Sequence, residues 1–387
     1  MILKAPIIIT MEGPVLKDHA IVIEGEQIKA ILPQREVSGE AVDLPETILL
    51  PGLINAHCHL ELSQLPQKLT NPGTFTAWVQ QLGALKLQMS VAQTEAAIQE
   101  GIRQVIDGGT TTIADHISST TSPKTLLESP LDGVAYIEVL GVERERAKHF
   151  YNSALRTQQE FSKQSHKIKV QATPHATFSL LPEIFADVLL AASEIPFSIH
   201  IAESPDEDLL FREQRGPLYE FLKRLGKPPT SNHETPLRYL KRLGLLPNKC
   251  MAIHGNYLED EDIEILLENE MSVVHCPGSH AYFGYDRFPL GMLLDCDVNV
   301  ALGTDSLASN NSLSMFEQMR LALDAYAELT PETVLKMATL NGAKALRREN
   351  EIGSLKPGKL ANIVGVPRQR TASYENIVTA KKLSFVS

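Results

Sequence analysis

Residues 49–63 read LLPGLINAHCHLELS, an apolar, strand-forming run that ends in His57 and His59 with Cys58 between them. Side chains alternate across a strand, so the two imidazoles fall on one face and Cys58 on the other. Two imidazoles on one face at a strand's C-terminal end are half of a metal cage. His-x-His alone is weak support for a metal, so the rest of the chain has to supply the other half.

Runs of the same kind recur along the chain at Thr111–Asp115, Val134–Leu140, Ile168–Thr173, Phe197–Ile201, Met251–His254, Met271–His275 and Val298–Gly303. Together with Ile48–Ile54 they make eight. Helical patterns separate most of them. Ser90–Ile106 is the cleanest: Ser90 and Gln93 form a capping box, Ile98, Ile102, Val105 and Ile106 form the apolar stripe, and Gly108-Gly109 ends it. Glu143–Lys163, Pro182–Ala192, Asp260–Asn269 and Ser312–Ala327 are further helix candidates. Eight buried-type strands with helical crossovers predict an α/β fold, a parallel (β/α)8 TIM barrel over residues 51–351, in preference to an open doubly wound sheet. Both chain ends read as β instead. Ile7–Ile9, Ala20–Ile23, Gln27–Ile31 and Thr47–Leu50 stand at one end, with a hairpin turn at Glu24-Gly25-Glu26. Ile352–Val366, Asn376–Thr379 and Leu383–Val386 stand at the other. Residues 1–50 plus 352–387 are therefore expected to form one small composite β-sandwich domain.

The bulk properties narrow the function. The chain has 387 residues, 43% hydrophobic and 21% charged, enough for a large core. Its net charge of −11 repels phosphate polymers, so nucleic acid and anionic membranes are poor partners and a small-molecule substrate is expected. Cys58, Cys250, Cys276 and Cys296 are scattered with no Cys-x-x-Cys spacing, which points to a reducing compartment. The N-terminal run MILKAPIIITMEGPV is too short for a signal segment, and no later stretch reaches membrane-spanning length. A soluble, cytoplasmic protein is the expectation.

Chemistry in such a barrel gathers at the C-terminal strand ends. Those ends carry His57 and His59, Asp115-His116, His175, His200 with Glu203 just beyond, His254, His275 and His280, and Asp305. Eight of the twelve histidines stand there, where random placement would scatter them over helices and loops. Three neutral imidazoles and a carboxylate suit one borderline divalent ion, Zn²⁺ first and Fe²⁺ second. Cys58 and His275 read as packed, structural residues, and Glu143-Arg-Glu-Arg146 as a solvated helix start. Glu61 shares the pocket-facing parity of His59, while Trp78 lies on the helix that follows. His175, Ser279 and His280 stand close enough to the strand ends to touch a substrate.

Together PGLINAHCHLE, SIHIAES, AIHGNYL, VVHCPGS, ALGTDS and GSLKPGKLANIV resemble the amidohydrolase superfamily, in its mononuclear deaminase and chlorohydrolase branch, over nearly the full chain. The resemblance implies that His57, His59, His200 and Asp305 hold the metal. It makes Glu203 the proton shuttle and His254 the group that polarises substrate or orients water, with Asp305 also accepting a proton. It implies that the region around Trp78 covers the substrate, beside the contacts expected of Glu61, His175, Ser279 and His280 from their positions, and it implies a homodimer. The lysine that would bridge two metals is missing, because Lys167 and Lys169 stand at the wrong end of the fourth strand. The expected reaction is hydrolytic loss of ammonia from an aminated purine-like ring or nucleoside derivative. HCHLELS and HCPGSHAYFG are similar to aminodeoxyfutalosine deaminases, although His280 follows Ser279 where adenosine-type and guanine-type relatives have Asn. The alternatives are a C–N or C–Cl hydrolase of triazines or cyclic amides, or a catalytically silent binding homologue.

Overall fold

The computed structural model describes residues 1–65, 69, 73–191, 194–369, 373–381 and 383–386. Ala192 and Ser387, the expected ends of a helix and of the small domain, lie outside the described residues. The first strands are β1 (Ile2–Ile8), β2 (Leu16–Glu24), β3 (Gln27–Pro33), β4 (Val42–Asp43) and β5 (Thr47–Pro51). β2 and β3 form the hairpin at Gly25, whose φ of 60° suits glycine. From the other end of the chain, β14 (Ile363–Pro367) and β15 (Phe385–Val386) join them; in chain order they follow the eight strands described next. Among the described residues the path β15-β14-β5-β1-β2-β3, with β4 beside β1, is one hydrogen-bonded sheet of seven strands drawn from both chain ends.

The middle of the chain makes two parallel four-stranded sheets. One holds β6 (Leu53–Cys58), β7 (Thr110–Ser118), β8 (Asp132–Val139) and β9 (Ile168–Pro174). The other holds β10 (Ser198–Ile201), β11 (Met251–His254), β12 (Ser272–His275) and β13 (Asn299–Leu302). Almost every residue of these strands is buried, as expected of strands covered on both faces. The sheets meet at two places. Cys58 bridges Asp305 and Ala176 bridges His200, both in parallel. At the first meeting, the Asn55 amide donates to Thr304 Oγ1 (2.8 Å) and accepts from the Thr304 N–H (3.0 Å).

Two expectations need correction. The apolar run Ile48–Ile54 is not one strand: Thr47–Pro51 pairs with β14 in the end sheet, and Leu53–Cys58 begins the parallel sheet. Gly52 makes the break possible, since a Cβ there would lie 2.0 Å from Thr111 Oγ1. Asn376–Thr379 is not a strand either; it falls in the helix Ser373–Val378 and the turn after it. Buried Ile377 and Val378 are held there, and Arg320 Nη1 caps the carbonyls of Val378 and Ala380. Tertiary packing overrides β-propensity in so short a run.

The expected helices form with small shifts at their ends, as Val91–Asp107, Arg144–Phe161, Pro182–Leu190, Asp260–Glu268 and Met315–Ala325. The Ser90–Gln93 capping box is present. No helix among the described residues is long and apolar enough to cross a membrane.

Candidate active site

Each strand of the two parallel sheets delivers its polar residue at the C-terminal end, and backbone geometry helps aim three of them. Ala202, His254 and Asp305 have φ values of 53°, 71° and 56°, the left-handed region that non-glycine residues seldom occupy. These turns end β10, β11 and β13.

His57, His59, His200, His254, Asp305 and Glu138 offer ligand atoms in three overlapping trios. They are His57–His200–His254, His57–His59–Asp305 and His59–Glu138–His200, each with its atoms within 4.8 Å of one another. Nε2 of His57 lies 3.8 Å and Nε2 of His59 lies 3.9 Å from Asp305 Oδ1. Partners behind the rings set their orientation. The His59 Nδ1 pairs with the main-chain oxygen of His116 (3.1 Å), and His200 Nδ1 with that of His175 (2.8 Å). Donation from Nδ1 leaves Nε2 bare toward the common space. Nε2 of His57 is buried with no hydrogen-bond partner. Burial first, then the neighbouring imidazoles, pushes His57 and His200 far below the usual histidine range, so both are neutral, the form that binds metal. Asp305 is held by the Ser306 N–H (2.7 Å) and by Ser309 Oγ (2.8 Å).

Glu203 and His254 face each other, with Oε1 and Nε2 3.5 Å apart, and both are buried. Burial pushes the Glu203 carboxyl well up, with Asp305, Glu207 and Glu138 adding to the effect. Burial pushes His254 down to about 4. The main chain of Glu203 is tied by its N–H to Glu207 Oε2 (2.7 Å) and by its carbonyl to Asn256 Nδ2 (2.9 Å).

The remaining expected residues take varied places. Glu61 is buried, with Oε1 accepting from Lys86 Nζ (2.6 Å) and Ser118 Oγ (2.6 Å). Burial alone raises its carboxyl, but Lys86 first, then Ser118 and Thr121, outweigh that and bring it to about 2. Trp78 donates its indole N–H to the Ala308 carbonyl (3.2 Å), three residues past Asp305, and packs edge-on against Phe283. The His175 ring stacks on His200 and meets Ser179 Oγ (2.8 Å). Ser279 bonds Ser309 Oγ (3.1 Å), which in turn bonds Asp305, so Ser279 steadies that carboxylate. His280 pairs through Nε2 with the Asp286 carbonyl (2.7 Å). His275 stacks face to face on Phe288 at 4.1 Å, away from the trios. Cys58 is fully buried.

Sequence reasoning missed Glu138 and left His116 without a role. Glu138 ends β8, and its Oε1 is buried without a hydrogen bond, 3.9 Å from His200 Nδ1. The available signal was a lone carboxylate in the apolar run Tyr136-Ile-Glu-Val-Leu140. His116 lies behind His57 and pairs through Nε2 with Ser198 Oγ (2.7 Å).

Comparison with known proteins adds three likenesses and a family. A sequence model described as the amidohydrolase family matches residues 48–383. A 5-methylthioadenosine/S-adenosylhomocysteine deaminase of Thermoanaerobacter pseudethanolicus is 30% identical, over 95% of this chain and 85% of that protein. An adenosine deaminase from Xanthomonas campestris, crystallised with bound zinc, superposes with a TM-score of 0.86 at 24% identity, over 100% of this chain and 91% of that one. Helicobacter pylori aminofutalosine deaminase, in complex with methylthio-coformycin, has a TM-score of 0.86 at 22% identity, over 100% and 98%. The two structural likenesses bear on the fold alone.

Proposed function

The chain belongs to the amidohydrolase family, and we propose that it is a metal-dependent deaminase that hydrolyses an exocyclic C–N bond of an aminated purine-like ring, most simply in a nucleoside derivative. The observation that carries this reading is the convergence of His57, His59, His200, His254 and Asp305 in overlapping trios within 4.8 Å. The two parallel sheets, joined at Cys58–Asp305 and Ala176–His200, support a closed eight-stranded barrel with this site in its mouth.

The donor set fits a divalent ion. His57 Nε2 is a buried nitrogen with no partner, and burial keeps His57 and His200 neutral. His57, His59, His200 and Asp305 would hold the ion, zinc by preference and iron(II) second. Bound there, it would supply Lewis-acid activation that lowers the pKa of a water molecule to about 7.

The chain's own residues do the rest. Asp305 accepts the proton that water loses. Glu203 holds a proton next to a ring nitrogen, which makes the ring carbon electrophilic, and then passes a proton to the departing amine. His254, 3.5 Å from Glu203, donates to the charge that builds on oxygen. The balance is ring–NH₂ plus water giving ring=O and ammonia.

A screen of the purified, metal-loaded enzyme across aminopurines, adenosine derivatives, pterins and triazines tests the reading. Ammonia release confined to the purine compounds supports it. Chloride release, a ring-opened product, or no turnover with metal bound overturns it.

A further inference from the structure

The Tyr285 hydroxyl is buried with no hydrogen-bond partner among the described residues. Its ring is held by two others. Phe283 stacks on it at 5.0 Å with 10° between the planes, and Tyr257 meets it edge-on at 5.9 Å. Both neighbours are tied to the site. The Tyr257 N–H bonds the carbonyl of Ala202 (3.0 Å), one residue before Glu203. Phe283 packs against Trp78, whose indole is fixed to Ala308. Tyr285 thus belongs to an aromatic wall beside the ends of β10, β11 and β13, and this packing sets where its hydroxyl points.

The charges around that hydroxyl place it. Burial first, then Glu203, Tyr257, Asp206 and Glu207, push the phenol well up, so it stays a neutral O–H. Those three carboxyl groups stand on the turn after β10 and on the first turn of the helix Pro205–Glu213. The hydroxyl therefore faces Glu203 from the helix side. Two of the carboxyls are engaged elsewhere. Asp206 Oδ2 accepts from the Thr76 N–H (2.8 Å) and hydroxyl (2.6 Å). Glu207 accepts from Thr177 Oγ1 (2.5 Å) and from the Glu203 N–H (2.7 Å). A buried donor left without an acceptor is costly, and a bound molecule is the natural source of the acceptor.

We propose that Tyr285 is a substrate-binding residue whose O–H donates to a second ring nitrogen, one carbon away from the nitrogen that Glu203 protonates. In a purine Glu203 serves N1, the amine leaves from C6, and Tyr285 serves N3. N3 stands opposite the reacting carbon and N7 beside it, and Tyr285 faces the helix start, away from the trios. This rests on the deaminase reading and adds to it how the site tells one aminated ring from another. A ring with C–H in place of that nitrogen leaves the phenol unpaired and is rejected.

The test is a binding cycle read by calorimetry on the metal-loaded protein, so it does not depend on turnover. Its probes are inosine, the product expected from adenosine, with 3-deazainosine and 7-deazainosine. Wild type is expected to bind inosine and 7-deazainosine alike, and 3-deazainosine about tenfold more weakly. Tyr285→Phe keeps the ring between Phe283 and Tyr257. It should weaken inosine and 7-deazainosine about tenfold and leave 3-deazainosine unmoved, with metal content and Tm unchanged. Equal effects on all three nucleosides, indifference of 7-deazainosine in place of 3-deazainosine, or no binding of inosine to wild type overturns the proposal. Ammonia release from adenosine checks the deaminase reading separately. Turnover without the coupling rejects Tyr285 alone, and the coupling without turnover keeps the contact while the deaminase reading fails.

Discussion

His116 lies behind His57, with the two Nδ1 atoms 3.1 Å apart. Only one of the two can carry the shared proton. His116 Nε2 meets Ser198 Oγ at 2.7 Å, so donation from His57 Nδ1 to His116, and from His116 Nε2–H to Ser198, accounts for every nitrogen but one. The one left bare is His57 Nε2, which faces the other ligand atoms. Removing this support without touching a ligand should weaken the metal. His116→Leu is expected to lower affinity for zinc about 10–100-fold, read by chelator competition. Unchanged affinity would show that the pair does not orient His57.

Glu203 is expected to act in turnover and not in holding the ion. Glu203→Gln should keep a full complement of metal while kcat falls about 10²–10⁴-fold, the usual worth of a positioned acid–base group. Metal analysis alongside steady-state kinetics checks both halves, and retained activity would reject the role assigned to this side chain.

Stability should depend on pH through Glu207. Burial raises this carboxyl from 4.5 to about 7, against hydrogen bonds from Thr177 and the Glu203 N–H. Between pH 4.5 and 7 the folded state therefore holds a proton that the unfolded chain has released. The sign follows: this contribution is full below about pH 4.5 and is lost as pH rises through about 7, amounting to roughly 3 kcal/mol. Denaturant titrations from pH 5 to 8 should show a downward slope in wild type that flattens in Glu207→Gln. Parallel slopes in the two proteins would contradict it.

On the opposite side of the parallel sheets, Arg348 clasps Asp132 at the start of β8 through two bonds of 2.6 and 2.8 Å, both side chains being largely buried. Replacing one partner strands the other's charge. Arg348→Met is expected to cost about 3–5 kcal/mol in unfolding experiments and to leave the pH profile of kcat unmoved.

Much of this site was legible before any coordinates. His57, His59, His200, His254 and Asp305 stand where apolar runs stop, and a strand's period of two says which side chains point together. His116 was visible as a strand-end residue, but nothing local says that it backs His57 and does not join it. Glu138 was hidden because a single carboxylate in a buried run reads equally as a strand end. The run Ile48–Ile54 misled for a related reason. Both of its halves are buried, so hydrophobicity could not show that Gly52 passes the chain from one sheet to another. At Asn376–Thr379 four residues were too few for a period to emerge, and packing under Arg320 decided the helix.

By itself, then, the sequence determined the alternation of strand and helix, the β character of both ends, and the residue types available for a metal and a proton shuttle. These follow from local rules of periodicity and capping that act over a few residues. The tertiary structure alone decided which of eight strand-end histidines share one space, because that depends on pairings such as Asn55 with Thr304, 249 positions apart. It also decided the left-handed turns at Ala202, His254 and Asp305, since backbone strain of that kind is held only by the packing around it.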